Sequence, residues 1–355
     1  MASIFSMFKD SMLDFIDSGS KYNLKMPLPK TRNALGNYTR GDFIVVGGRK
    51  TSGKSSFMLH NYITSPLIQR ITTGKTEKPF KTHVIYINSR KSAKATIERM
   101  VVNYVSTKNK GNKLGVPSLY GFQGRHAKIS PEKAKAVLTS TMGIFDTLIN
   151  KHILTVLSAK KTIFEIEDVV QSVMSQYGTF ENADDYEFVY NEKDKDVIPI
   201  LVIDDITSII GEGGGPVMKF ENAHKLGIKL KTMAKALNMV VVLAVPSLTK
   251  YTKGAFHKSS VEEVEPYHLY ADRVVIMHNP METGDSKVLG YEIKDFVNKV
   301  TGISYFRMLF VASNYMGASG IYIPYFMYPE NGFLLELPSY DDDRKMEKFY
   351  DIVDK

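Results

Sequence analysis

GDFIVVGGRKTSGKSS, residues 41–56, joins an apolar run to a glycine-rich turn and then to a helix-compatible segment. Its second half, Gly48-Arg49-Lys50-Thr51-Ser52-Gly53-Lys54-Ser55, fits the phosphate-loop pattern G-x-x-x-x-G-K-[ST]. The glycines let the backbone bend so that its N–H groups face an anion, and the helix that follows adds a partial positive charge at its N-terminus. Gly48, Thr51, Ser52, Gly53, Lys54, Ser55 and Ser56 are therefore the expected nucleotide contacts. Lys54 is expected to reach the β- and γ-phosphates of ATP, with the Ser55 hydroxyl on Mg²⁺.

Working outward, short apolar runs recur between helical stretches. They are FIVVG (43–47), THVIYI (82–87), ILTVL (153–157), IPILVID (198–204), MVVVLAV (239–245), RVVIM (273–277), YFRMLFVA (305–312) and GIYIPYFMY (320–328). Several lack polar alternation, which is the pattern of strands buried on both faces. The alternation predicts an α/β fold, a mostly parallel twisted sheet flanked by helices, with antiparallel strands after residue 300. The metal-binding partner of a phosphate loop is an Asp at the end of a later buried strand. ILVIDD supplies Asp204, with Asp205 beside it. The charged segment 178–196 reads as a surface loop, and the polar C-terminal segment as a short helix or tail.

Composition sets outer bounds. The 355 residues carry 46 Lys+Arg against 38 Asp+Glu, a net charge of +8 that suits a polyanionic partner. There is no cysteine, so neither disulfides nor thiolate metal sites are available, in keeping with a reducing cytoplasm. No apolar run approaches the roughly 20 residues of a membrane span. In residues 1–24, Ile4, Phe5, Phe8, Met12, Phe15 and Ile16 share one face of an amphipathic helix. This segment reads as an arm, followed by one domain over residues 25–355.

With these pieces in order, the chain resembles the ATPase domain of DnaB-family replicative helicases, including those that phages encode. The resemblance rests on PLPKTRNALGNYTRGDFIVVGGRKTSGKSSF, on SRKSAKATIERM (89–100), and on the helix–strand–helix run that leads to Asp204. It continues through GEGGGPVMKFENAHKLGIKLKTMAKALNMVVV, YADRVVIM and SNYMGASGIYI. It implies a RecA-like P-loop NTPase core, a homo-oligomeric ring of six with ATP sites between neighbours, and single-stranded DNA in the central pore. It also implies a replicative helicase motor, with a primase or helicase loader as further partners and the cytoplasm (the host's, for a phage protein) as location.

The chain departs from that family in at least three places of its hydrolytic half. The catalytic glutamate position holds Arg90, which stays protonated and cannot act as a general base. The trans-acting basic pair is replaced by Ser313 and Tyr315, and the γ-phosphate-sensing glutamine by Ser247. Either the roles have moved or they are lost. Asp205 is the candidate to orient the attacking water, Arg90 to stabilise charge, and Lys299 or Arg307 to reach across a subunit boundary. For DNA, the candidates are Lys219, Lys225 and Lys229 after the Gly-rich loop, and Lys250, Lys253 and Lys258 around Tyr251 and Phe256. Cations there would track a backbone on which the rings stack. Two other readings share the core: a RecA-type recombinase, and an ATP-binding scaffold subunit with degenerate hydrolysis.

Overall fold

In β1 (Phe43–Gly48) every residue is buried. Its side chains alternate between two cores, Phe43 and Val45 entering one, Ile44 and Val46 the other. A strand buried on both faces turns few side chains to water, which is why the sequence here reads as an unbroken apolar run. The same division recurs in β2 (Lys81–Ile87), β4 (Val197–Ile203), β5 (Val240–Pro246) and β6 (Arg273–His278). Each fully buried Val, Ile or Leu contributes about 1.5–3 kcal/mol, so these strands anchor the fold.

The computed structural model describes residues 24–73, 81–108, 131–182, 188–211, 220–247, 264–299 and 301–353. Within them, β3 is Leu154–Leu157, and β7 (Phe306–Asn314), β8 (Ile321–Tyr328) and β9 (Phe333–Glu336) complete a nine-stranded sheet. Its order is β9-β8-β7-β6-β1-β5-β4-β2-β3. The β6-β1-β5-β4-β2-β3 block is parallel, and β7, β8 and β9 add antiparallel to its β6 edge. This is the mostly parallel α/β sheet with late antiparallel strands that the sequence predicts.

Helices cover both faces. One face carries α1 (Pro29–Leu35), the helical run from Lys54 to Thr73, α4 (Ala93–Lys108) and α5 (Pro131–Asn150). In the run, α2 (Lys54–Met58) passes through a π-helical turn (Leu59–Thr64) into α3 (Ser65–Thr73). The other face carries α6 (Ile163–Met174) and α7 (Phe220–Ala236). A capping box starts α6: the Glu165 amide donates to the Thr162 hydroxyl, and the Thr162 amide donates to the Glu165 carboxylate. The C-terminal segment forms α8 (Asp343–Val353), as expected.

A buried ion pair fixes where β1 begins. Arg273, 1% exposed at the start of β6, places its guanidinium 2.8 Å from Asp42 and donates to the Asn37 carbonyl and the Thr39 hydroxyl. Beside it, Asp272 accepts from the Phe43 amide at 2.7 Å and from Lys231. Burial pushes the Asp42 carboxyl up to about 6 against the pull of Arg273.

One expectation is corrected. The segment 178–196 is not simply a surface loop, because Gly178–Asn182 and Phe188–Glu192 pair as an antiparallel hairpin. Phe180 and Tyr190 meet across it at 5.0 Å between ring centroids, and such cross-strand aromatic pairs hold a short hairpin despite its charge. The arm falls outside the described residues. No helix of the described residues is long and apolar enough to cross a membrane.

Two buried histidines give the fold a defined acid limit. Burial pushes both His60 and His83 down to about 4, whereas an unfolded histidine takes its proton near pH 6.5. Between those values the unfolded chain binds more protons, so stability falls as pH drops from about 6.5 towards 4 and flattens below. Each ring contributes roughly 3 kcal/mol across that window. Urea unfolding at pH 7 and pH 4.5 is expected to show a smaller acid loss for His83→Asn than for the parent chain. Equal losses would refute the assignment.

Candidate functional site

The C-terminal ends of β1, β4 and β2 open into a cleft of about 670 Å³, within the range of small-molecule sites. Ligands of open α/β sheets bind outside these strand ends. The loop after β1 shapes the floor. Gly48 has φ +139°, and a Cβ there would lie 2.3 Å from the Met277 carbonyl oxygen and 2.7 Å from Ser52 Oγ. Gly53 has φ +99°, and a Cβ there would meet Met327 Sδ at 2.8 Å. The Ser52 amide and hydroxyl both donate to the Arg49 carbonyl and close the turn. Ser247, at the end of β5, braces it from the side by donating its amide to the Gly48 carbonyl at 2.9 Å.

Lys54 is 6% exposed and turned onto its own loop, donating to the carbonyls of Gly48 and Arg49. Burial pushes its ammonium down to about 8, against the opposing pull of Asp204 and Asp205. A cation held only by carbonyls in a cleft is poised to exchange them for an anion. The Ser55 hydroxyl donates to Asp204 Oδ1 at 2.8 Å. The other oxygen of Asp204 accepts from the Tyr86 hydroxyl at 2.6 Å and from the Asn88 amide at 3.3 Å. Burial, with the Asp204 charge adding to it, pushes the Tyr86 phenol well up, so it remains a donor. A half-buried hydroxyl in contact with a buried carboxylate, the latter held by neutral donors, is a donor set that fits a hard cation such as Mg²⁺. Ser55 and Asp204 would be the residues that hold it.

Asp205 lies beside this pair and is buried. Its carboxylate caps the 3₁₀ turn Ile206–Ser208 by accepting from the Thr207 amide at 2.9 Å. Arg90, just after β2, stands across from it with Nη2 3.0 Å from Asp205 Oδ2, and Nε donates to the Thr207 hydroxyl at 3.2 Å. Arg90 is therefore not an isolated surface residue. It faces the acid that the sequence offers as a replacement for the missing glutamate.

The cleft also gathers residues that sequence reading did not select. Lys50, Lys91 and Arg99 line it, and Arg99 Nη2 donates to the Ser56 hydroxyl at 2.9 Å. With Lys54, Arg90 and Arg307 these make six cations against the two carboxylates Asp204 and Asp205. Arg307 corrects an expectation: it is 4% exposed and lines the cleft of its own chain, so it is not held out towards a neighbour. Lys299 is exposed. Ser313 is half-buried in β7 and Tyr315 is 82% exposed on the turn after it, and neither lines the cleft.

Of the DNA candidates, Lys225 and Lys229 lie one turn apart on α7. Lys229 Nζ sits 3.7 Å from the ring centroid of Phe164, which is 55% exposed at the start of α6. Lys219, Lys250, Lys253 and Lys258, with Tyr251 and Phe256, lie outside the described residues.

Comparison with solved structures shows the fold. The chain is similar to a separately solved ATPase domain, with 12% identity, a TM-score of 0.58, and 93% of this chain and 98% of that one covered. It is similar to a DnaB-like replicative helicase described with its interactions with primase, with 14% identity, a TM-score of 0.61, and 95% of this chain and 68% of that one covered. The resemblance read in the sequence therefore carries through to the fold of DnaB-like helicase ATPase domains. No protein-family model matches the sequence, and no curated protein matches it.

The loop geometry is directly testable. Gly48→Ala is expected to lower stability by roughly 1–3 kcal/mol, the cost of a strained backbone position, and to abolish nucleotide binding. Gly143, in α5, has nothing within 4 Å of a would-be Cβ, and Gly143→Ala is expected to stabilise by about 0.5–1 kcal/mol. Denaturant unfolding of both variants, with nucleotide titration, checks the contrast. A neutral Gly48→Ala would mean that the loop does not need its left-handed backbone.

Proposed function

We propose that this chain is an ATP-dependent motor of the DnaB-like replicative helicase type, assembling as a ring and moving on single-stranded DNA. The observation that carries the reading is the phosphate loop with Ser55 joined to Asp204 beneath a cation-rich cleft. The fold shared with helicase ATPase domains supports it. Lys54 takes the β- and γ-phosphates, and the loop amides and Ser56 line the phosphate chain. Ser55 and Asp204 would hold Mg²⁺, which would supply charge neutralisation to the phosphates. Asp205 orients the attacking water, and Arg90 leaves Asp205 for the terminal phosphate when ATP enters. Breaking that ion pair frees the carboxylate and brings a guanidinium to the developing charge in one movement. DNA lies along Lys219, Lys225 and Lys229 and the basic segment with Lys250, Lys253 and Lys258, while Phe164 and the nearby aromatics offer stacking faces. The arm at residues 1–24 grips the neighbouring subunit.

A second reading, an ATP-clamped scaffold, is favoured by Ser247, Ser313 and Tyr315 standing where a motor of this type keeps its sensing and trans-acting groups. ATP turnover separates the two. The motor reading expects turnover stimulated by single-stranded DNA, lost in Lys54→Ala, and reduced about 100-fold or more in Asp205→Asn with ATP affinity little changed. Stimulation is expected to weaken steeply with salt as phosphate contacts release counterions. Tight ATP binding with turnover no higher than that of Lys54→Ala would establish the scaffold.

A further inference from the structure

Two arginines are nearly buried in the main sheet, and they differ in their partners. Arg273 is 1% exposed and has Asp42 at 2.8 Å. Arg307, at the start of β7, is 4% exposed, and among the described residues no carboxylate oxygen lies within 4.0 Å of its guanidinium. Nη1 is anchored by donating to the Ser304 carbonyl at 2.8 Å and the Phe306 carbonyl at 2.6 Å. Nε has no hydrogen-bond partner, as is also true of Arg273 Nε, so the difference between the two lies in the counter-charge. The acid whose field it feels, Glu282, stands 3.8 Å from Arg49. Burial, which outweighs Glu282, pushes Arg307 down to about 10.

A buried cation without a counter-charge costs several kcal/mol, and proteins pair such groups unless the partner arrives from outside. Arg307 lines the same cleft as Lys54, Ser55 and Asp204. Its anchored Nη1 holds the guanidinium plane, and planar forks of this kind bind phosphate oxygens with geometric specificity. We propose that Arg307 binds the phosphate chain of the nucleotide held in its own chain, as a fixed same-subunit anion contact facing the phosphate loop. This rests on the cleft being a nucleotide site. The subunit that grips the phosphates with Lys54 thereby also supplies an arginine, whichever residues a neighbour adds.

The test is equilibrium titration with fluorescent ATP and ADP analogues over a wide range of protein concentration. It compares the parent chain, Arg307→Gln, Arg307→Lys and Lys54→Ala, with thermal melting of each in the absence of nucleotide. Arg307→Gln is expected to weaken both nucleotides about tenfold or more at every protein concentration, with Arg307→Lys intermediate. Its nucleotide-free melting temperature is expected to match or exceed the parent's, because an uncompensated buried charge is gone. Unchanged affinity in Arg307→Gln would overturn the inference. So would a loss confined to concentrations at which the chain self-associates, which marks a contact to a neighbour's nucleotide. A fall in nucleotide-free stability that accounts for the lost binding would make Arg307 structural and overturn it as well. If the parent itself shows no Lys54-dependent nucleotide binding, the nucleotide-site reading fails and this inference falls with it.

Discussion

The hydrogen bond from the Ser55 hydroxyl to Asp204 joins residues 149 positions apart, and the sheet has to be built in one register for it to form. Val45 in β1, Leu243 in β5, Ile203 in β4 and Ile87 in β2 stand in one row across the sheet. All four enter the same core. A strand that slipped by one residue would turn its whole apolar set to the wrong face, so burial fixes the register strongly. Fixing that row puts the next residues, Asp204 and Asn88, side by side where the strands end. The site is a by-product of the core: once the apolar row is aligned, the polar residues just beyond it have no other place to go.

The same logic explains why the acid beside the metal position is so well held. Asp204 accepts from Ser55 in the first turn of α2 and from Tyr86 and Asn88 at the end of β2. Hydrogen bonds to a charged carboxylate are worth more than neutral ones, and three of them fix this one in place. Asp205, one residue on, is held by a turn amide and by Arg90. Its main ionic partner is thus a long, half-exposed side chain rather than rigid backbone. Adjacent carboxylates therefore sit in different settings, one locked by neutral donors and one held by an exchangeable cation, and this difference is what lets them take different roles.

Much of this was legible in the sequence, for physical reasons. The parallel strands are buried on both faces, so each left a continuous apolar run, and all eight runs read from the sequence became strands of the main sheet. The phosphate loop was legible because its chemistry is local: eight consecutive residues carry the turn, the lysine and the hydroxyl. The hairpin at 178–192 was hidden because its strands are short and offer only a few apolar residues, Phe180 and Tyr190 among them, to the edge of the core. The last strand, Phe333–Glu336, is only four residues long. Lys91 and Arg99 were missed for a different reason, and Arg307 was read as reaching across a subunit boundary rather than into the cleft of its own chain. Arg99 and Arg307 reach the cleft because α4 and β7 are laid beside the loop by non-local packing, and Lys91 reaches it because it follows Arg90 beyond the end of β2.

Arg307 shows most clearly where sequence reasoning stops and geometry takes over. A charged residue in a strand reads as a solvent-facing position, and in a ring-forming family it reads as a group offered to the next subunit. Both readings assume exposure. The fold removes it: Arg307 pairs with Tyr325 of β8, and its side chain is 4% exposed and lines the cleft of its own chain. What matters chemically is then not that the residue is basic but that it is basic, buried and unpaired, whereas Arg273 in the adjacent strand is basic, buried and paired. The contrast between two neighbouring arginines separates a cation that serves the fold from one that waits for an anion.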